Sequence, residues 1–178
     1  MRRPLLIIAL LLVAVAGLTA RAHADELAKK LGIIKPKVRL EAPAFSLQTL
    51  DGKRLELKEF RGRLILLNFW ATFCTPCRTE MPSMERLWQK FKNRGFVIIA
   101  ISVDRGGKQR VEKFVEEVGV TFPVVLDPEG RVRRKYEIFA LPTSYIIGRD
   151  GKFLGKIVGE RKWDDPQFIQ FFEKLLSR

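Results

Sequence analysis

The chain has 178 residues, 33 Lys and Arg against 20 Asp and Glu, a formal net charge of +13, one histidine and two cysteines. Its basic residues are scattered rather than interleaved with aromatics in one patch, which argues against a nucleic-acid partner. Two cysteines and His23 cannot supply the roughly four ligands of a structural zinc site.

In chain order, Met1-Arg2-Arg3-Pro4 is a positive leader and Leu5 to Ala20 an almost unbroken apolar run. Ala22-His23-Ala24 then forms a small-residue A-x-A site before Asp25-Glu26. Residues 1–24 thus read as an export signal. The apolar run is at the short edge of the roughly 20 residues that span a bilayer, so cleavage after Ala24 is favoured over a retained anchor. Either outcome places the rest in the periplasm or on the extracytoplasmic face of the inner membrane. The Arg2-Arg3 pair is ordinary positive-inside charge, because the flanks fit a twin-arginine signal poorly. The remaining basic surface suits association with anionic lipid or an acidic partner, or merely solubility.

Residues 25–40 are polar without a sustained apolar period and read as a leader or tether; 41–178 has the length of one domain. Two strand-like pieces flank Leu50-Asp51-Gly52-Lys53, a hairpin signal. Leu64 to Trp70 and Phe96 to Val103 are continuous apolar runs, as in strands covered on both faces. A helix from the cysteines to about Asn93 joins them, so they form a right-handed parallel crossover. Val111, Phe114, Val115 and Val118 have helical spacing, and Phe122 to Leu126 reads as a short strand. Thr143 to Ile147 and Lys152 to Val158 form a second hairpin around Arg149-Asp150-Gly151. Asp164 or Asp165 caps a last helix with Pro166 in its first turn and Phe168, Phe172 and Leu175 as its apolar stripe. The fold class is α/β: a mixed sheet, helices on both faces, and an added N-terminal hairpin.

Cys74 and Cys77 stand at C-x-x-C spacing where an apolar strand meets a helix. A pair so placed can cycle between dithiol and disulfide. At the helix N-terminus, unpaired N–H groups and the macrodipole stabilise a Cys74 thiolate, while Cys77, one turn inside, can attack a mixed disulfide. A purely structural disulfide is a poor use of the spacing, because so short a loop constrains the unfolded chain little.

Asn68-Phe69-Trp70-Ala71-Thr72-Phe73-Cys74-Thr75-Pro76-Cys77, the helix with Glu80 and Pro82, and Ala140-Leu141-Pro142-Thr143-Ser144-Tyr145 resemble the thioredoxin superfamily. Within it they resemble the TlpA/ResA/CcmG branch of exported thiol-disulfide oxidoreductases, from about Ala42 to the C-terminus. The resemblance implies a thioredoxin fold, a redox-active Cys74–Cys77 disulfide and no other cofactor, with Cys74 attacking and Cys77 resolving. It also implies a cis peptide before Pro142 opposite the cysteines, with backbone near Leu141 pairing an extended substrate. Trp70, Phe73, Thr75 and Pro76 would complete the substrate-facing surface. By resemblance the partners are disulfide-containing proteins, such as apocytochrome c before haem attachment, and a membrane thiol-electron transporter as reductant. A monomer is the default expectation.

Advancing about 100° per residue from Cys77, Met81, Met84, Leu87, Trp88 and Phe91 fall within one apolar sector, and Glu80 falls inside it. A carboxylate there is desolvated, its pKa rises, and it can exchange a proton with a cysteine one turn away. The resembling family has a functional glutamate at this place. Asn68 stands where thioredoxin itself has a buried acid, which leaves proton handling to Glu80. Phe73 stands where many relatives have tryptophan, and Pro82 is expected to kink the helix.

Thr75-Pro76 brings no histidine to acidify Cys74 strongly, and with Arg78 just beyond the pair only a moderate depression of its pKa is expected, which favours a reductant over an oxidase. The alternatives are a general disulfide oxidase or isomerase and a non-enzymatic copper-binding module using two thiolates. A peroxiredoxin would be expected to have Ser or Thr and Pro where this chain has Ala71 and Leu67.

Overall fold

The computed structural model describes residues 25–177; the signal-like segment 1–24 lies outside them. Residues 25–30 are helical (α1). Strands β1 (Ser46–Thr49) and β2 (Arg54–Glu56) form the first hairpin, followed by a 3-10 turn at Leu57–Phe60. Then come β3 (Leu64–Trp70), α2 (Thr75–Phe91), β4 (Phe96–Ser102), α3 (Lys108–Val118), β5 (Val124–Leu126) and α4 (Arg131–Lys135). β6 (Thr143–Ile147), β7 (Phe153–Val158) and α5 (Pro166–Leu176) complete the chain.

The strands make one seven-stranded sheet in the order β2-β1-β5-β4-β3-β6-β7. β3 pairs in parallel with β4, and β4 with β5, while β6 runs antiparallel to β3. Every residue of β3 and β4 is buried, as their unbroken apolar runs predict. Alternation along β3 sends Leu64, Leu66 and Trp70 into one apolar cluster and Ile65, Leu67 and Phe69 into the other. The first cluster contains the buried faces of α2, α3 and α5; the second contains Val132 of α4 with Tyr136 and Ile138. Asn68 has the parity of Leu66 and Trp70, so its amide points toward α2.

Two readings need correction. The stripe of α5 is Phe168, Phe171, Phe172 and Leu176, with Leu175 only partly buried. The cap, expected at Asp164 or Asp165, is Asp165, whose carboxylate accepts the Gln167 N–H at 2.9 Å. Residues 25–40, read as a polar tether, instead bring Leu27, Ala28, Leu31 and Ile33 into the core. Leu27, Ala28 and Leu31 form a one-turn stripe, too short to register as a period among lysines. Beyond it, Ile34 exchanges backbone hydrogen bonds of 2.8 and 2.9 Å with Lys156. Among the described residues no helix is long and apolar enough to cross a membrane.

Gly155 permits this docking, since a Cβ there would lie 2.4 Å from Cγ2 of Ile33. Gly155→Ala is therefore expected to lower stability by about 1–3 kcal/mol through overpacking. Ile33→Ala in the same chain should recover part of that loss, as read by urea denaturation of the single and double variants. Strictly additive effects would show that Ile33 does not pack against Gly155 in solution.

Candidate active site

α2 begins at the cysteines because Cys74 keeps extended dihedrals (φ −93°, ψ 101°) at the N-cap and Pro76 occupies the first turn, where its missing N–H costs nothing. Cys74 and Cys77 form a disulfide with their Cα atoms 5.3 Å apart. The Cys77 N–H donates to Cys74 Sγ at 3.3 Å, so one of the free N–H groups of the helix end already faces that sulfur. Cys74 is half-buried and Cys77 wholly buried, which leaves Cys74 as the sulfur an outside molecule can reach.

One turn further along α2, Glu80 is 2% exposed. Its Oε1 accepts Asn68 Nδ2 at 2.8 Å; its Oε2 accepts the Trp163 indole N–H at 2.9 Å and the Arg161 backbone N–H at 3.1 Å. Asn68 also donates to Ser144 Oγ at 2.9 Å, and Ser83 Oγ accepts the Trp163 N–H at 3.0 Å. Burial pushes the Glu80 carboxyl from 4.5 up to about 7; the donors from Trp163, Arg161 and Asn68 pull it down without cancelling the desolvation. A groove of about 350 Å³ lined by Thr79, Glu80, Ser83, Arg86, Glu160 and Arg161 opens beside it.

Leu141 and Pro142 are joined by a cis peptide, as expected, and Leu141 and Cys74 both pack against the two apolar clusters. Phe73 is 67% exposed, and Thr75 and Pro76 are exposed in the first turn of α2. Leu141 is half-buried and Pro142 buried. Trp70 departs from its expected place on the substrate surface: it is fully buried, with its ring 5.2 Å from that of Phe114. Being the last residue of a strand covered on both faces, it supports the cysteine loop from beneath. α2 continues through Pro82 to Phe91.

Sequence reasoning did not find Asp104, Ser144, Arg161 or Trp163. Asp104, 5% exposed, accepts the Thr72 N–H at 2.9 Å and the Thr72 hydroxyl at 2.5 Å, and also the Ser102 hydroxyl at 2.8 Å. It ties the end of β4 to the loop carrying Phe73 and Cys74. Trp163 had a legible signal, a lone large aromatic in the charged run Glu160-Arg161-Lys162-Trp163-Asp164-Asp165. Among the described residues, no group of three or more His, Cys, Asp or Glu side chains could hold a metal ion.

The sequence model of the AhpC/TSA family matches residues 38–154. A thiol-disulfide oxidoreductase ResA of Bacillus thuringiensis subsp. konkukian is 39% identical over 141 residues, 79% of this chain and 80% of that protein. ResA of Bacillus subtilis is 40% identical over 119 residues, 67% and 66% of the two chains. The crystal structure of a thioredoxin-family thiol:disulfide interchange protein from Chlorobium tepidum TLS superposes with a TM-score of 0.68 at 32% identity, over 79% of this chain and 99% of that one. With a disulfide at the N-terminus of α2, a cis-proline and a thioredoxin-like sheet already in place, these matches show that the chain belongs to the AhpC/TSA family, among the thiol-disulfide oxidoreductases related to ResA.

Proposed function

We propose that this protein is an exported reductant of protein disulfides, with Cys74 as attacking thiol, Cys77 as resolving thiol and Glu80 as the group that takes the Cys77 proton. The observation that carries the reading is the buried Glu80, one turn past a buried Cys77, with its carboxyl raised to about 7. Such an acid changes protonation near neutral pH, where general acid–base exchange is most effective.

In the reduced protein, the Cys74 thiolate attacks one sulfur of the substrate disulfide, forming a mixed disulfide and releasing a substrate thiolate. Cys77 then passes its proton to the Glu80 carboxylate and attacks Cys74 Sγ. The mixed disulfide breaks, the second substrate thiolate leaves, and two electrons have moved to the substrate. The protein is left with the Cys74–Cys77 disulfide seen in the structure.

Asn68 Oδ1 is buried without a hydrogen-bond partner among the described residues. A half-turn of the amide presents this oxygen to a protonated Glu80, so one side chain serves both charge states. Phe73, Thr75, Pro76 and the backbone at Leu141–Pro142 receive the substrate segment. The substrate favoured by the ResA relationship is apocytochrome c, reduced before haem attachment, with a membrane thiol transporter restoring the dithiol. Residues 1–24 would deliver the protein to the periplasm or the extracytoplasmic membrane face. A peroxidase reading lacks support, since Ala71 and Leu67 offer no hydroxyl or proline where peroxide chemistry expects them.

Three outcomes are expected. A redox titration of the cysteine pair against glutathione or dithiothreitol buffers should place its potential near or below about −230 mV; a value near about −120 mV would instead assign an oxidase. Glu80→Gln should slow exchange with a protein disulfide by about tenfold or more and remove an inflection near pH 7 from the rate profile. Identical profiles from pH 5 to 9 would sink Glu80's role. Stability supplies a separate check. Because the folded-state pKa lies above the unfolded one, the folded protein holds a proton that the unfolded chain releases between pH 4.5 and 7. The stability of the oxidised protein therefore falls as pH rises through that window, by about 3 kcal/mol at most. Denaturant titrations should show this slope in the parent chain and its absence in Glu80→Gln.

A further inference from the structure

Beside the disulfide lies a second groove, of about 340 Å³. Thr72, Phe73, Arg78, Arg110, Lys113 and Phe114 line it, with Glu117 the carboxylate on its wall. Arg78 follows Cys77 directly, and its guanidinium lies 5.2 Å from the centre of the Phe114 ring, so one face is engaged and the N–H edge remains free. Among the described residues neither the Arg78 nor the Arg110 guanidinium donates to a protein acceptor. Lys113 meets Glu117 only at 3.9 Å, with both side chains exposed, a pairing worth little.

Elsewhere on the surface several arginines are paired, although the Arg63 and Arg94 side chains, like these two, have no protein acceptor among the described residues. Arg39, Arg61, Arg86 and Arg131 each pair with a carboxylate, on Asp150, Glu41, Asp164 and Glu129. The arginines left without acceptors include the two beside the reactive pair, and Arg105 on the loop just past Asp104 adds a third to this end of the sheet. Asp104 is buried and does not line the groove; its oxygens accept from Thr72 and Ser102. Exposed Phe73 supplies an apolar wall next to the charged one.

We propose that this groove recognises an aspartate or glutamate of the substrate protein, lying within a residue or two of the cysteine that Cys74 attacks. The carboxylate bridges Arg78 and Arg110, whose planar forks suit such an acceptor, while Phe73 covers the aliphatic part of the same segment. The groove thereby sets both encounter rate and choice of substrate. This inference rests on the disulfide-reductase reading and adds the class of substrate segment.

The test uses the reduced full chain and two disulfide-bearing peptides identical except that Glu or Gln flanks the reacting cysteine. Each exchange rate is divided by that of the same peptide with free dithiothreitol, which removes the effect of the flanking charge on intrinsic reactivity. The Glu peptide is expected to react about tenfold faster at about 20 mM salt, and the advantage should vanish at about 500 mM. Arg110→Glu, an exposed change on α3 whose fold is checked by circular dichroism, should abolish or invert the ratio. Equal normalised rates, or a ratio unchanged in Arg110→Glu, would overturn the proposal while leaving a working reductase. No exchange with either peptide would instead remove the reductase reading on which it rests. Equal peptide rates together with loss of binding to phosphatidylglycerol vesicles in Arg110→Glu would assign the groove to lipid headgroups and likewise overturn it.

Discussion

A carboxylate buried beneath a disulfide is the constraint around which this molecule is organised. Removing an ionised carboxyl from water costs several kcal/mol unless hydrogen bonds replace hydration. Glu80 receives those bonds from three separate places: a side chain of β3, a backbone N–H after β7, and the Trp163 indole just before α5. The replacement is incomplete, and that shortfall raises the carboxyl to about 7, the property on which its proposed role depends. Fuller solvation would keep it ionised at neutral pH; fewer donors would hold it permanently protonated. The polar position in β3 has the same origin, because an apolar residue at 68 would leave Oε1 without its donor.

The helix that places Glu80 also makes the two sulfurs unequal. Cys74 sits at the N-cap, where a backbone N–H already points at it, and Cys77 faces the core one turn on. In the proposed mechanism, exposure makes Cys74 the sulfur that meets the substrate, and burial makes Cys77 the one that needs a proton acceptor close by. Asp104 serves this division from a distance, since it holds Thr72 and so the approach of the chain to Cys74. Trp70 contributes from below as a packed floor.

Elements whose signal is local were legible in the sequence. β3 and β4 announce themselves as unbroken apolar runs, the hairpins through Asp-Gly turns, and α2 through a cysteine pair followed by residues at helical phase. The phase also put Glu80 on the buried face. What holds Glu80 there was not legible, because Asn68, Arg161 and Trp163 become neighbours only when distant elements pack. The docking of residues 25–34 was hidden for a related reason. Its apolar stripe is one turn long, and the space it fills depends on the missing side chain of Gly155, far away in sequence.

The separation between Glu80 and its donors bears on how the molecule comes into being. Trp163 and Arg161 lie 83 and 81 residues downstream of it. During synthesis both cysteines arrive well before the indole and amide that define the carboxylate's surroundings. A nascent chain halted before Gly159 would carry the complete C-x-x-C sequence with a solvated, ordinary glutamate beside it. Its thiols could be oxidised or captured, yet the acid would lack the surroundings its proposed role requires. With Glu80 in its proposed role, competence is reached only when Arg161 and Trp163 dock, and loss of the segment after Gly159 would remove it while leaving every reactive atom in the chain.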